Sequence, residues 1–316
     1  MRILALVPGG IGDQFLVFPT LETLKQQYPQ ATIDVLVEPR SKSAYRVCQF
    51  VNDVLIFDYQ DRNGLADYLN LLGVIRDREY EAALNFAQQW VVELLLWLNG
   101  IPVRAGYQDT NVWFTTHPIP QKTEQYTAGM YHDLVASLGI HVPCPPLTVS
   151  VPKVDIDWAE AEQKRLDIKE SGYILLYDGS SQSPETAVYP MSKWQQIVKD
   201  IQEKQPNVPL VLLQDEENSD FISEISAIAP SLKILAPPDM GKLAAAIAGA
   251  NLLLCTDSAP MHLAVAVGTY TIALFGPTEA KKHLPADSDK CFGIQSQSKT
   301  VADIAPVTVL EKIWNG

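Results

Sequence analysis

Leu252-Leu253-Leu254-Cys255-Thr256-Asp257-Ser258-Ala259-Pro260-Met261-His262-Leu263-Ala264-Val265-Ala266-Val267-Gly268, followed by Thr271-Ile272-Ala273-Leu274-Phe275-Gly276-Pro277-Thr278, reads as strand, turn, helix and strand. The first apolar run ends at an acid and a hydroxyl, Asp257 and Ser258. Pro260 then suits the first helical position, where its missing N–H is not needed. The second apolar run lies beyond Gly268. Two short strands joined by a helix make the parallel βαβ unit, because parallel neighbours need a crossover connection.

The same alternation extends to both sides. Upstream of residue 252 the pattern predicts helix 158–166, strand 173–177, helix 191–201, strand 208–213, helix 218–228, strand 233–235 and helix 240–248. The other half opens with a strand at 3–7, the turn Pro8-Gly9-Gly10-Ile11-Gly12-Asp13 and an apolar-periodic helix over 15–28. Strand 31–37, a helical stretch at 43–50, strand 53–58, helix 65–78, strand 82–86, a buried helix at 90–98 and a strand end at 103–107 follow. Pro143, Pro145, Pro146 and Pro152 crowd a stretch with little helical period, which marks a linker between 142 and 157. The expected fold is α/β, with two Rossmann-like, doubly wound parallel-sheet domains over 1–150 and 151–316, the last helix being available to pack back on the first. Open parallel sheets bind ligands beyond the carboxyl ends of their strands, so two facing domains would enclose a central cleft with the linker as hinge.

Composition narrows the function. The 316 residues are 47% hydrophobic and 19% charged, a globular balance. Lys and Arg number 24 against 37 Asp and Glu, a net charge of −13, which argues against a nucleic-acid surface built on phosphate neutralisation. Cys48, Cys144, Cys255 and Cys291 stand tens of residues apart, so they form no zinc or C-x-x-C spacing and read as reduced thiols. The N-terminus lacks the features of a signal peptide and no apolar run reaches the ~18–20 residues of a membrane span; a cytoplasmic location is expected. No set of His, Asp and Glu has metal-ligand spacing, which predicts no bound catalytic metal.

The residues at the strand ends admit two readings each. The N–H groups opening a helix after Ser258 form an anion site, or Asp257 or Ser258 merely caps that helix. Asp13 on its Gly-rich turn can serve as a general base or as a cap. His262 is a ligand-facing imidazole or a packed structural one. Glu216, in Gln214-Asp215-Glu216-Glu217, faces a ligand or belongs to a solvated acidic loop.

Asp257, Ser258, His262, Leu263, Ala264, Gly268, Phe275, Gly276, Pro277 and Thr278 resemble the C-terminal motif of glycosyltransferase family 9, the ADP-heptose:lipopolysaccharide heptosyltransferases. Gly9-Gly10-Ile11-Gly12-Asp13 with Pro19 and Leu21 resembles that family's Gly-Asp turn. Val103-Arg104-Ala105-Gly106-Tyr107 resembles its Arg-x-Gly-Tyr strand and Ile304-Ala305-Pro306 the start of its last helix, so the likeness runs from residue 3 to about 313. The resemblance implies a GT-B architecture and inverting sugar transfer without metal or cofactor. The nucleotide diphosphate-sugar donor, ADP-linked, is then bound mainly by the second domain. A saccharide or glycolipid acceptor is met by the first at a membrane face, with peripheral contact. Asp13 is then the base on the acceptor hydroxyl, with Gly10, Gly12 and Gln14 around it. Asp257, Ser258, Ala259, Pro260, Met261 and His262 hold the donor, joined by Glu216 at the ribose and by Gly179 and Ser180.

Two departures from the family stand out. Aligning Tyr189-Pro190 with the family's Trp-Pro pair puts Ala187 where a lysine usually neutralises the donor phosphates, and Ala259 replaces the motif glycine. Lys281 and Lys282 are the candidates to supply that charge. A sugar-nucleotide epimerase of similar architecture and a catalytically silent nucleotide-sugar binder are the alternatives. An NAD enzyme is disfavoured because Gly9-Gly10-Ile11-Gly12 does not fit G-x-G-x-x-G and only Glu38 could meet the ribose.

Overall fold

The computed structural model describes every residue except 59–63, 88–89, 109–112, 180–186, 217 and 316. The chain divides into two units, Met1–Val149 and Ser150–Gly316.

The first unit runs β1 (Arg2–Val7), α1 (Ile11–Gln27), β2 (Thr32–Val37), β3 (Asp53–Ile56), α2 (Leu65–Asp77), β4 (Ala82–Asn85), α3 (Trp90–Leu98), β5 (Val103–Tyr107), β6 (His117–Ile119) and α4 (Thr127–His132). Its six strands are parallel and ordered β3-β2-β1-β4-β5-β6. The central strands are buried over residues 3–7 and Ala82–Asn85, as expected for a parallel sheet covered on both faces, where the alternation of apolar and polar residues disappears. The helical stretch near residue 43 is a 3-10 turn over Pro39–Val47. β6 and α4 carry little periodicity and escape the sequence pattern.

The second unit runs α5 (Lys153–Arg165), β7 (Ile174–Tyr177), α6 (Met191–Lys204), β8 (Leu210–Leu213), α7 (Ser219–Ile228), β9 (Lys233–Leu235), α8 (Met240–Ala248), β10 (Leu252–Thr256), α9 (Ala259–Val267), β11 (Thr271–Phe275), α10 (Ala280–His283), β12 (Cys291–Gln295) and α11 (Pro306–Asn315). Its sheet is ordered β12-β11-β10-β7-β8-β9, again parallel. Read from its own first strand, this is the order of the first unit repeated. Helix α5 starts at Lys153, directly after Pro152, inside the stretch expected to be linker; the proline fixes the extended entry and the helix begins at once. Helix α11 belongs to the second unit, where Trp314 Nε1 donates to Asp200 Oδ1 of α6 at 3.0 Å and Val309 is buried in the core. No helix among the described residues is long and apolar enough to cross a membrane.

In both sheets the strand order reverses at the centre, between β1 and β4 and between β7 and β10. Connections leave such a point towards opposite faces, which opens a crevice at the carboxyl ends of those strands. The Gly-rich turn follows β1, and Asp257-Ser258 follows β10.

Trp194 anchors the second core. It is fully buried with Ile197, Val198 and Ile201 on one face of α6, and its ring lies 5.4 Å from both Tyr189, edge-on, and Phe221. Trp194→Ala should cost about 3–5 kcal/mol, seen in urea denaturation followed by circular dichroism as earlier unfolding of the second unit.

Candidate functional site

In the first unit the turn after β1 is tied down by buried polar side chains. Gln14 is fully buried and its Nε2 lies 3.3–3.5 Å from the carbonyls of Val7, Pro8, Gly9 and Gly10, while its Oε1 accepts from the Tyr45 hydroxyl at 2.8 Å. Gln14 therefore holds the turn and has no exposed atom for a ligand. Ser41 Oγ donates to the Gly9 carbonyl at 2.7 Å, and the buried Glu38 accepts from the Gly9 N–H at 3.4 Å and from Arg40 Nε at 2.8 Å. Glu38 serves the turn. Gly9 has φ of +92°, and a Cβ there would stand 2.2 Å from Asp13 Oδ2, so only glycine fits.

Asp13 occupies the third position of α1 and accepts the Gly10 N–H at 2.9 Å. Its carboxylate is half-buried at the carboxyl end of β1. Gly12 lies in the same first helical turn. One neighbour of Asp13, and one buried polar residue at the same sheet edge, escape sequence reading. Burial, and after it the Asp13 carboxylate, raise the Tyr131 phenol of α4 above its usual range. Asn85, buried at the end of β4, donates nothing from its Nδ2, although its Oδ1 accepts the Ala87 N–H at 3.1 Å.

In the second unit the capping alternative fails on geometry. Ser258 is the N-cap of α9 but its side chain makes no capping bond; its hydroxyl donates back to the Thr256 carbonyl at 2.9 Å. Asp257 points elsewhere, its Oδ2 accepting from Thr278 Oγ1 at 2.7 Å. The helix opens at Ala259, with Pro260 second. Its positive end is thus left without a side-chain cap, the arrangement that receives anions at helix N-termini. Met261 is fully buried and packs inward.

Gly179 follows β7 beside this turn: its N–H donates to Thr256 Oγ1 at 3.2 Å, and a Cβ there would lie 3.3 Å from Ser258 Cβ and 2.9 Å from the Tyr177 ring. Ser180 lies outside the described residues. Behind the turn the buried Asp178 accepts from Thr256 Oγ1 at 3.4 Å and from Trp194 Nε1 at 3.3 Å, a link that a three-residue strand-end motif does not announce. Glu216 is exposed in the loop after β8. Its neighbour Asp215 accepts the Tyr177 hydroxyl at 2.5 Å, and the backbone N–H groups of Asp215 and Asn218 each donate to the Oδ1 of the other. Lys193 Nζ donates to the carbonyls of Ala302 and Ile304 at 2.5 and 3.0 Å, which commits it to the segment before α11. Lys281 and Lys282 pair with Glu279 at 3.2 and 2.8 Å.

His262 is 3% exposed, and burial brings its imidazole down to about 4, so it is neutral at neutral pH. Its Nδ1 has no hydrogen-bond partner. The ring of His283, at the end of α10, lies 6.0 Å from it, and His283 Nδ1 stands 3.9 Å from Asp257 Oδ1. Gly293 makes this possible, since a Cβ on β12 would come 2.6 Å from Ala280 Cβ and push α10 away. Spacing along the chain hides the grouping because its members come from three different elements.

The family model described as Glycosyltransferase family 9 (heptosyltransferase) matches residues 69–310. The chain belongs to this family. It is a glycosyltransferase of the heptosyltransferase type and has the GT-B fold. It is 24% identical to lipopolysaccharide heptosyltransferase 3 of Escherichia coli, over 85% of this chain and 81% of that protein. It is also 24% identical to the photosynthetic NDH subunit of subcomplex B 1, chloroplastic, of Arabidopsis thaliana, over 98% of this chain and 72% of that one. The solved structure of E. coli ADP-heptose lps heptosyltransferase II matches with a TM-score of 0.80 at 19% identity, over 100% of this chain and 98% of that one.

Gly9→Ala should lower stability by about 1–3 kcal/mol, the scale of a forced left-handed backbone, and displace the Asp13 carboxylate. Chemical denaturation checks it; an unchanged midpoint would contradict the turn geometry described above.

Proposed function

We propose that this member of family 9 transfers a sugar, heptose or a close analogue, from an ADP-linked donor to the hydroxyl of a saccharide or lipid-linked saccharide, with inversion. The observation that carries the reading is the uncapped start of α9 after Asp257 and Ser258, where backbone N–H groups can take the donor diphosphate. Asp257, with one oxygen already engaged by Thr278, is assigned to hydroxyls of the transferred sugar. Gly179, pressed against Ser258, gives the diphosphate access to the turn. Glu216 is assigned to the ribose, its exposure leaving it available to a ligand.

Asp13 is the proposed general base. A carboxylate that takes the proton of the acceptor hydroxyl as it attacks the anomeric carbon makes the oxygen more nucleophilic; the diphosphate departs with the glycosidic electron pair. The donor is a substrate, and the step needs no redox cofactor. The acceptor's lipid would bring the protein to the inner membrane face, where a family role in lipopolysaccharide assembly would lie.

The likeness to a chloroplast NDH subunit favours a second reading, in which the fold serves as a subunit without catalysis. One screen separates them. The purified chain should be stabilised in thermal shift by ADP-linked sugars more than by UDP-, GDP- or CDP-linked ones, since a ligand of the folded state raises its apparent stability, and Asp257→Ala should weaken that binding. Absence of binding to any of them supports the subunit reading. With donor and acceptor in hand, Asp13→Asn should reduce transfer about 10²–10⁴-fold while leaving donor affinity unchanged; near-full transfer in the variant would remove Asp13 from the mechanism.

A further inference from the structure

We propose that Asp257, His262 and His283 form a binding site for a divalent transition-metal ion of the zinc and cobalt type. One ligand atom from each lies within 4.8 Å of the others. Bonds of about 2.0–2.2 Å set ligand atoms roughly 3.0–3.4 Å apart around one ion, so rotating the side chains by about an ångström closes the set. Two imidazoles and a carboxylate suit such an ion, whereas magnesium and calcium prefer oxygen donors throughout.

Three features distinguish this group from a chance cluster. His262 is 3% exposed and its Nδ1 has no partner, and His283 Nδ1 is likewise buried without one. Buried polar atoms are rarely left unpaired, and one of these two, His283 Nδ1, stands 3.9 Å from Asp257 Oδ1. Asp257 is held from behind: Thr278 Oγ1 donates to Oδ2 at 2.7 Å, leaving Oδ1 directed at His283. This is the outer support that metal-ligating carboxylates usually receive. Finally, the Asp257 and His283 side chains are 21% and 26% exposed, so solvent or a ligand oxygen can reach the ion. Three protein ligands with one open position is the arrangement of reactive rather than purely structural sites.

The site shares Asp257 with the proposed donor pocket, but metal binding is measured without nucleotide and so stands or falls apart from sugar transfer. Where that reading holds, the ion places positive charge next to the first turn of α9.

The test uses the whole chain, treated with chelator, freed of it and kept without nucleotide. Zinc is titrated by calorimetry and cobalt by visible absorption. The expected result is one equivalent of each, with cobalt ligand-field bands. His283→Ala, a partly exposed site whose loss should spare the fold by circular dichroism, should weaken binding by about tenfold or more, the scale seen even for outer-shell changes. Exposed His141→Ala should leave it unchanged. Absence of stoichiometric binding, or equal affinity in His283→Ala, overturns the site. Nucleotide-sugar binding, measured separately on chelated protein, tests the transfer reading alone, so the two fail independently.

Discussion

All strands of a parallel sheet end at the same edge, and where their order reverses the chain must leave that edge in two directions. In both units of this protein the Gly-rich or acid-hydroxyl turns stand at that reversal, β1 beside β4 and β10 beside β7. Backbone groups that leave a ladder there lose their partners and must be satisfied by side chains or by a ligand. The chain's polar residues near these points follow from that requirement: Gln14, Ser41 and Glu38 hold the first turn, and Thr256 with Asp178 holds the second.

The two turns meet the requirement in opposite ways. In the first, Asp13 folds back on the Gly10 N–H and places a negative charge at the positive end of α1. In the second, Ser258 and Asp257 are both drawn away from the helix, which leaves the positive end of α9 to whatever arrives. One unit therefore presents an acid and the other an anion-accepting backbone. That division of labour suits a reaction in which one substrate gives up a proton and the other a diphosphate.

The sheet was legible because its central strands are continuous apolar runs with sharp polar ends: β9, α8, β10 and β11 fall on the residues their patterns predict. β6, α4 and β12 were not, being short, half-exposed or irregular. Asp13 and Asp257 stand out at strand ends, but only their hydrogen bonds decide the alternative of a helix cap: Asp13 does accept the N-cap N–H of Gly10, whereas Asp257 is drawn off by Thr278. Gln14 looked like part of an acceptor site, yet its burial and the four surrounding carbonyls make it structural. His283 could not be found at all. It reaches His262 only because Gly293 lets α10 settle on β12, a packing relation that has no spacing rule.

Amide hydrogen exchange with and without an ADP-linked sugar tests the central claim most directly, since a ligand on backbone N–H groups protects those amides. Slowed exchange confined to residues 256–262 and 177–179 is the predicted result. Unchanged exchange there under saturating ligand, or protection only in other segments, would contradict a donor site at the strand reversal of the second unit.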